Sequence, residues 1–565
     1  MIFSRRLPRS PGRRQIAFPY LLIAACCVSV AMLLVPLWAQ SNARGTAAGV
    51  EVRAREIGGV VTSAKGPEAG VWVIAETTNL PTKFVRIVVT DDRGLYLIPD
   101  LPSATYSVWV RGYGLIDSKR ISATPGRRVD LAAVIAPNAL VAADIYPSSS
   151  WYSLLSVPPA SDFPGTGVGP GGNGIPTSIK SQLQWVGSLT TDCVWCHQMG
   201  GKATREIPEQ LGRFPRSSDA WRRRIQSGQW GGFMTNMFLQ RYGQRGFDLF
   251  GDWTDRVAAG ETPPAPPRPR GRERNVVITE WDWADSRSFI HDEISTDKRR
   301  PTVNANGPVF GAEQHTNDVL DVLYPATHTI SRANIPVPKE LPIPVPQRTM
   351  QPSAYWGDET IWSQGGSSRA NLHNLMMDQK GRVWVTTSVR GGERPDFCKA
   401  GSSHPSAAYF PFRDTQGING PNGEGRQLSM YDPATKRVVL IDTCYDTHHL
   451  QFGEDADNTL WTSGGGTVIG YFNTRVFDET QDAVKAQGWC PLIVDTNGNG
   501  RADAYVAPGD PLDPTKDMLI QGGGYGIIVS PVDGSVWTAN TGVPGFIVRL
   551  SLGSDPPRTC LAEVY

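Results

Sequence analysis

The chain opens with a basic head and a long apolar run, then passes into short alternating apolar and polar stretches. Residues 16–39 are 24 consecutive positions without a charge, behind Arg5, Arg6, Arg9, Arg13 and Arg14 and no acid. This is the pattern of an export signal or an N-terminal membrane anchor, and the run is long enough to span a bilayer. Beyond it, Gly59-Val60-Val61, Val71-Trp72-Val73-Ile74-Ala75, Phe84-Val85-Arg86-Ile87-Val88-Val89 and Tyr106-Ser107-Val108-Trp109-Val110 read as strands separated by turn residues. Residues 138–174 are rich in Pro, Gly and Ser and read as a linker. Helical texture is confined to residues 180–262. Ser217-Ser218-Asp219 predicts a capped helix start, and residues 247–259 predict a second helix. Pro263-Pro264-Ala265-Pro266-Pro267-Arg268-Pro269 stops helix, and strands and turns return from 271 to 565.

Composition sharpens this picture. A chain of 565 residues is too long for one core and implies about three or four domains. With 59 Gly and 45 Pro, it reads as many short strands and turns. The formal net charge of +1 gives no case for a nucleic-acid partner. Of eight cysteines, Cys26 and Cys27 lie in the apolar run and Cys193 and Cys196 belong to a motif discussed below. Cys398, Cys444, Cys490 and Cys560 suggest two disulfides in an exported chain. Three pairings are open, and sequence proximity favours Cys398–Cys444 with Cys490–Cys560.

Two stretches resemble known families. Thr90-Asp91-Asp92-Arg93-Gly94-Leu95-Tyr96-Leu97, followed by Leu101-Pro102 and Tyr106, resembles the carboxypeptidase regulatory-like (transthyretin-type) domain. This implies a β-sandwich over residues 50–137, with Asp91 and Asp92 as turn formers. Further on, an acidic turn followed by a Trp-bearing strand recurs at Asp378–Thr386, Asp455–Ser463 and Pro531–Ala539, and Tyr431-Asp432-Pro433 begins a partner hairpin. These segments resemble the β-propeller blades of the virginiamycin B lyase family. The resemblance implies a propeller over residues 271–565, of six or seven blades at about 40–45 residues each. Trp384, Trp461 and Trp537 lie about 76 residues apart, which predicts an unrecognised or interrupted blade between copies. That family uses a His and acidic residues on late blades with magnesium, but no His follows His449 here. The expected fold class is therefore mainly β and multidomain: a signal peptide or anchor at 1–40, the sandwich, a small helical cytochrome c-like domain at 138–270, and the propeller.

Cys193-Val194-Trp195-Cys196-His197 carries the strongest chemical signal. It matches C-x-x-C-H, in which two thiols attach haem c covalently and the adjacent His ligates its iron. A zinc site would need two more ligands, and a thioredoxin-like pair would need a βαβ setting. Met234 and Met237 are the candidates for the opposite axial position, with His291 and His315 as runners-up. Asp495-Thr496-Asn497-Gly498-Asn499-Gly500-Arg501-Ala502-Asp503 resembles a Ca2+ loop. Asp495, Asn497, Asn499 and Asp503 would be its ligands, although Val506 stands where a bidentate Glu is expected. His373, His448 and His449 precede repeat hairpins and are candidates for a channel-facing metal or acid–base group, near Asp446, Asp378 or Glu454. His291-Asp292-Glu293 is a further metal-like run, while His328 and His404 lie elsewhere in the same region.

The expected function is an exported c-type cytochrome in electron transfer or substrate oxidation, on the periplasmic or extracellular side, anchored by residues 16–39. The propeller would bind a small-molecule substrate or a redox partner protein. The alternatives are a propeller lyase acting on a cyclic ester and a non-catalytic surface-binding protein.

Overall fold

The computed structural model describes residues 49–227, 231–284, 288, 290–314, 316–339, 369–390, 394–412, 425–464, 466–521, 525–540 and 542–565. The apolar run at 16–39 lies outside them. Among the described residues no helix is long and apolar enough to cross a membrane. The architecture is mainly β and built of several sheets.

Two five-stranded sheets close over one apolar core between residues 57 and 135. Ile57–Ser63 carries the first, pairing with Leu95–Ile98, Gly66–Pro67, Arg127–Arg128 and Leu131–Ala132. The turn resembling the regulatory-like family does the work expected of it. The Asp91 carboxylate accepts from the backbone of Arg93 and Leu95 at 2.9 and 2.8 Å, and Gly94 takes the left-handed conformation (φ +73°) that the turn requires. Asp92 instead pairs with Arg274. The second sheet runs through Phe84–Val89, Trp72–Thr77, Tyr106–Arg111 and Ile121–Ala123. Its fifth strand is Val277–Trp281, which pairs antiparallel with Phe84–Val89. The sandwich thus recruits a segment beyond residue 271, where the sequence reading begins the next domain. Trp281, partly buried, packs on Phe84 at 5.7 Å and favours this closure, while Val277 and Ile278 stay exposed.

The helical stretch packs around Trp151, Trp185, Tyr242, Phe247, Phe250 and Trp253. Its main helices are Gln182–Cys196, Ser217–Ile225, Gly231–Arg241 and Gly243–Ala258. Ser181 caps the first, accepting from the Gln184 N–H at 3.1 Å. The cap predicted at Ser217-Ser218-Asp219 does not form. Arg216 is the N-cap, Asp219 pairs with Arg216, and the Ser217 hydroxyl turns away to Asp255. The linker at 138–174 is also more structured than its composition suggests: Ala139–Ala143 and Ser148–Tyr152 are short helices, and the latter buries Trp151 in this core.

The C-terminal half forms successive four-stranded antiparallel meanders. The first comprises Ile290–Ile294, Val309–Glu313, Val319–Tyr324 and Thr329–Asn334. The second comprises Leu375–Met377, Val383–Arg390, Gly425–Asp432 and Arg437–Ile441. The third comprises Leu450–Phe452, Thr459–Thr462, Val468–Asn473 and Gln487–Pro491. The fourth, Gly526–Val529, Val536–Ala539, Ile547–Ser551 and Leu561–Val564, is widened into a seven-stranded sheet by Ile493–Val494, Asp517–Leu519 and Tyr505–Val506. The opening strands of successive meanders touch one another. The recurring acid closes each hairpin turn. Asp378 accepts from Lys380 N, Arg382 N and the Trp384 indole, Asp455 from Asp457 N and Thr459 N, and Asp533 from Ser535 N.

The predicted extra blade between copies is not found among the described residues. The second and third meanders follow each other directly. The additional length goes into a connection with the helix Pro405–Tyr409, into helices Thr474–Thr480 and Ala483–Ala486, and into the added strands before Gly526. Where the sequence length implied six or seven blades, the described residues hold four meanders. The sequence pattern does not mark the first, because its second strand, Val309–Glu313, carries no Trp. Cys398–Cys444 and Cys490–Cys560 are both disulfides, in the pairing that proximity favoured.

Two stability predictions follow from these contacts. Cys398–Cys444 closes a 46-residue separation. Replacing both cysteines by Ser is expected to cost about 4 kcal/mol in urea unfolding, mainly by freeing the unfolded chain. Asp321 is 1% exposed beside Glu313, with Arg332 donating to it at 2.9 Å. Burial and a hydrogen bond to Glu313 raise its pKa to about 7. The stability from this protonated carboxyl is therefore present below its unfolded pKa and is lost as pH rises through about 7. Asp321→Asn should raise stability at pH 8 by about 2 kcal/mol and change it little at pH 4, as read from melting curves across that range.

Candidate functional site

The opening strands of the meanders begin close together, and their first residues are polar. His291 is the second residue of Ile290–Ile294, His373 stands two before Leu375–Met377, His448 and His449 directly precede Leu450–Phe452, and Tyr525 directly precedes Gly526–Val529. Four successive meanders thus bring five rings to one place, two of them from the third. The His373 ring lies 4.1 Å from His291, 4.2 Å from His448 and 5.2 Å from His449, centroid to centroid. Tyr525 closes the far side, 5.0 Å from His448 and 4.6 Å from His449.

Asn374 holds the strands in this arrangement. Its side-chain N–H donates to the Asp292 carboxylate at 2.7 Å, and its carbonyl oxygen accepts from the Leu450 N–H at 2.7 Å. Its own N–H donates to Thr386 Oγ1 at 3.1 Å. One amide therefore ties the starts of three meanders. Asp292 also lies 3.2 Å from His291 Nδ1. Burial alone would raise the Asp292 pKa, but the hydrogen bonds from His291 and Asn374 and the nearby imidazoles outweigh it, so the carboxyl sits below its usual range.

Three of the rings, those of His373, His448 and His449, are held neutral. Burial, then the charge of Arg426 and the neighbouring imidazoles, pushes the His373 pKa far below that of a free histidine. Burial, His449 and Arg426 push His448 down to about 3. Burial lowers His449 as well, against the opposing effect of the Tyr525 carbonyl, to which His449 Nδ1–H donates. A general acid or base works best with a pKa near the operating pH. These rings are instead permanent lone-pair donors. His373 is 3% exposed, and among the described residues neither of its ring nitrogens has a hydrogen-bond partner.

The acids expected beside these histidines have other neighbours as well. Asp378 closes its own hairpin, Glu454 lies 3.9 Å from Lys298, and Asp446 lies 4.0 Å from Arg394. The carboxylate at the cluster is Asp292. The remaining histidines have structural settings. His404 bonds the Val484 and Gln487 carbonyls and stacks on Trp489, and His328 Nδ1 accepts from the Trp281 indole. His315 lies outside the described residues. His291, named as a runner-up for the haem, stands with the histidine cluster.

The pentapeptide 193–197 ends the helix Gln182–Cys196. His197 is its C-cap, with its N–H donating to the Cys193 carbonyl at 2.9 Å. Cys193 is half-buried against the helical core, and Met234 of Gly231–Arg241 packs on the same core. Met237 is half-buried on that helix, and the Cys196 side chain lies outside the described set. His197 is exposed, yet enough protein crowds its ring, with Arg224 nearby, to lower its pKa. Neighbouring Asp192 accepts from the Tyr242 hydroxyl at 2.7 Å and from Arg241 at 2.5 Å, fixing this helix to the next. A cavity of about 900 Å³ between the sandwich and the helices is lined by Arg111, Asp144, Trp151, Arg205 and Thr254, and neither Cys193 nor His197 reaches it.

In the loop 495–503, Asp495 accepts from the backbone of Gly498 and Gly500, Asn497 from Asn499, and Asn499 from Arg501. The Asn499 amide also donates to Asp503 at 2.5 Å. These oxygens are engaged within the loop itself.

No family model matches the sequence, and no curated protein matches it. Among solved structures, the chain is similar to a luciferin-regenerating enzyme at 10% identity and a TM-score of 0.20, over 46% of this chain and 73% of that one. It is also similar to YCF48 from Cyanidioschyzon merolae at 12% identity and a TM-score of 0.18, over 50% of this chain and 86% of that one. Likeness at this level defines neither fold nor function.

Asn374→Ala is expected to lower stability by about 2–3 kcal/mol, because it strands the Leu450 N–H and one oxygen of Asp292 in a half-buried setting. Urea unfolding measures this, and a loss no larger than that of an exposed Asn→Ala control would show that the amide is not a clamp.

Proposed function

We propose that this chain is an exported c-type haem protein acting in electron transfer or substrate oxidation, with its C-terminal meanders as blades of a β-propeller that binds the substrate or redox partner. The observation that carries this reading is the placement of Cys193-Val194-Trp195-Cys196-His197 at the end of a helix, with Met234 on a neighbouring helix packed against the same core as Cys193. The two disulfides use Cys398, Cys444, Cys490 and Cys560, so neither draws on the C-x-x-C pair.

The donor set fits the group. Cys193 and Cys196 would hold haem c through thioethers, and His197 would supply one axial nitrogen. Its lowered pKa keeps the imidazole in the neutral, ligating form. Met234 is the favoured second ligand and Met237 the alternative. When bound, the haem supplies one-electron chemistry. The chain's own part is to fix the pentapeptide: Ser181 caps the helix start, and Asp192 locks its end to Tyr242 and Arg241. His197 stands at the exposed helix end, which would suit approach by a redox partner. Both disulfides suit an oxidising compartment, which supports export.

Expression of the full chain in a host that matures c-type haem tests this reading. We expect a covalent haem stain on denaturing gels that is lost in the Cys193→Ala/Cys196→Ala variant, and a sharp low-spin reduced spectrum. Met234→Ala should alter that spectrum more than Met237→Ala. Absence of covalent haem from the mature wild-type chain overturns the proposal and leaves a propeller lyase or a surface-binding protein as the reading to pursue.

A further inference from the structure

The histidine cluster calls for its own explanation, because it shares no residue with the haem motif. One ligand atom from each of His373, His448 and His449 lies within 4.8 Å of the others. Two nitrogens bound to a common ion at about 2.1 Å can be at most about 4.2 Å apart, so small ring rotations bring all three to one centre. The His291 ring packs against His373 at 4.1 Å on the adjoining strand, outside that set of three.

Two further observations point the same way. His373 is almost wholly buried, and neither ring nitrogen meets a hydrogen-bond partner among the described residues. A buried polar atom left unsatisfied costs about 1–3 kcal/mol, so an arrangement of this kind persists when something else fills the coordination. Its neighbours also carry outer supports. Asp292 lies against His291 Nδ1, and His449 Nδ1–H donates to the Tyr525 carbonyl. Such partners turn the other ring nitrogen, Nε2, toward a metal and fix its tautomer. Arg426 opposes a cation electrostatically, and the acidic Asp292 side chain, 3.2 Å from His291 Nδ1, offsets it.

We propose that His373, His448 and His449, with His291 as a fourth donor, form a binding site for one late first-row transition-metal ion at the converging starts of the C-terminal meanders. A set of imidazoles with no carboxylate among the ligands suits Cu2+, Zn2+ or Fe2+ and is a poor host for Mg2+ or Ca2+. Asp292 and Asn374 are positioning residues: Asp292 orients His291, and Asn374 fixes both Asp292 and the strand that follows His449.

The test uses the full chain carrying a tag without histidine, stripped with a chelator and then dialysed against Zn2+ or Cu2+, so that haem iron does not enter the count. The wild-type chain should retain one more equivalent of either metal than a His373→Gln/His448→Gln variant. Copper-loaded wild type should show electron paramagnetic coupling to at least three nitrogens, a readout that needs no variant to fold. Asp292→Asn should weaken Zn2+ binding by about tenfold. The proposal is overturned if wild type retains no more metal than the double variant, or if its copper signal shows fewer than three nitrogen ligands, in which case water alone occupies the cluster. Haem staining of the same preparations reports on the cytochrome reading separately.

Discussion

The C-terminal half depends on a single constraint: strands that begin at one place must satisfy the polar groups they bring there. Asn374 meets it with one amide, donating to Asp292 on one side and accepting from Leu450 N–H on the other. Backbone hydrogen bonds within each meander cannot do this, because they join strands of the same sheet and leave neighbouring sheets to side chains. Arg299 serves the same end further out. Buried against Asp297, it reaches the Gly453 carbonyl and Asn458 of the third meander. Arg382 on the second meander pairs with Asp478, in the helix carried by the third. Long-range polar ties of this kind set the spacing at which the histidine rings meet.

The sequence revealed some of this and concealed the rest for physical reasons. Short-range signals survived into the structure. The Asp91–Gly94 turn, the hairpin acids Asp378, Asp455 and Asp533, and the helix leading into Cys193 are fixed by residues a few positions apart. His373, His448 and His449 were visible because each precedes a recognisable Trp-bearing hairpin. His291 lies inside the opening strand of a meander with no Trp in its second strand, so that rule does not mark it. Asp292 and Asn374 were invisible as partners, since they lie 82 residues apart and meet only through tertiary packing. The capped start predicted at Ser217 failed because a competing bond to Asp255, 38 residues away, took the hydroxyl. Strand Val277–Trp281 was misplaced because a segment's loyalty to a sheet is decided by edge pairing, which local pattern does not encode.

The two candidate centres sit in opposite environments, and the contrast bears on what each can do. The pentapeptide 193–197 ends on an exposed histidine at a helix terminus. The histidine cluster is more enclosed, with His373 buried and its neighbours half-buried, and burial removes His373 and His448 from acid–base work at neutral pH. A group held inside by four chain segments exchanges slowly with solvent and suits a resident ion better than a transient proton.

Contact between the two regions is direct. Gly187, in the middle of the helix leading to Cys193, lies so close to Val543 of the fourth meander that a Cβ there would meet its side chain at 2.3 Å. Only a glycine permits that approach in a helix that otherwise gains nothing from one, since glycine costs about 1 kcal/mol relative to alanine at such a position. The close packing therefore outweighs the local penalty. It fixes the helix that bears the C-x-x-C-H pentapeptide against the sheet that supplies Tyr525, so the sheets and the helical region are held as partners and do not merely follow one another along the chain.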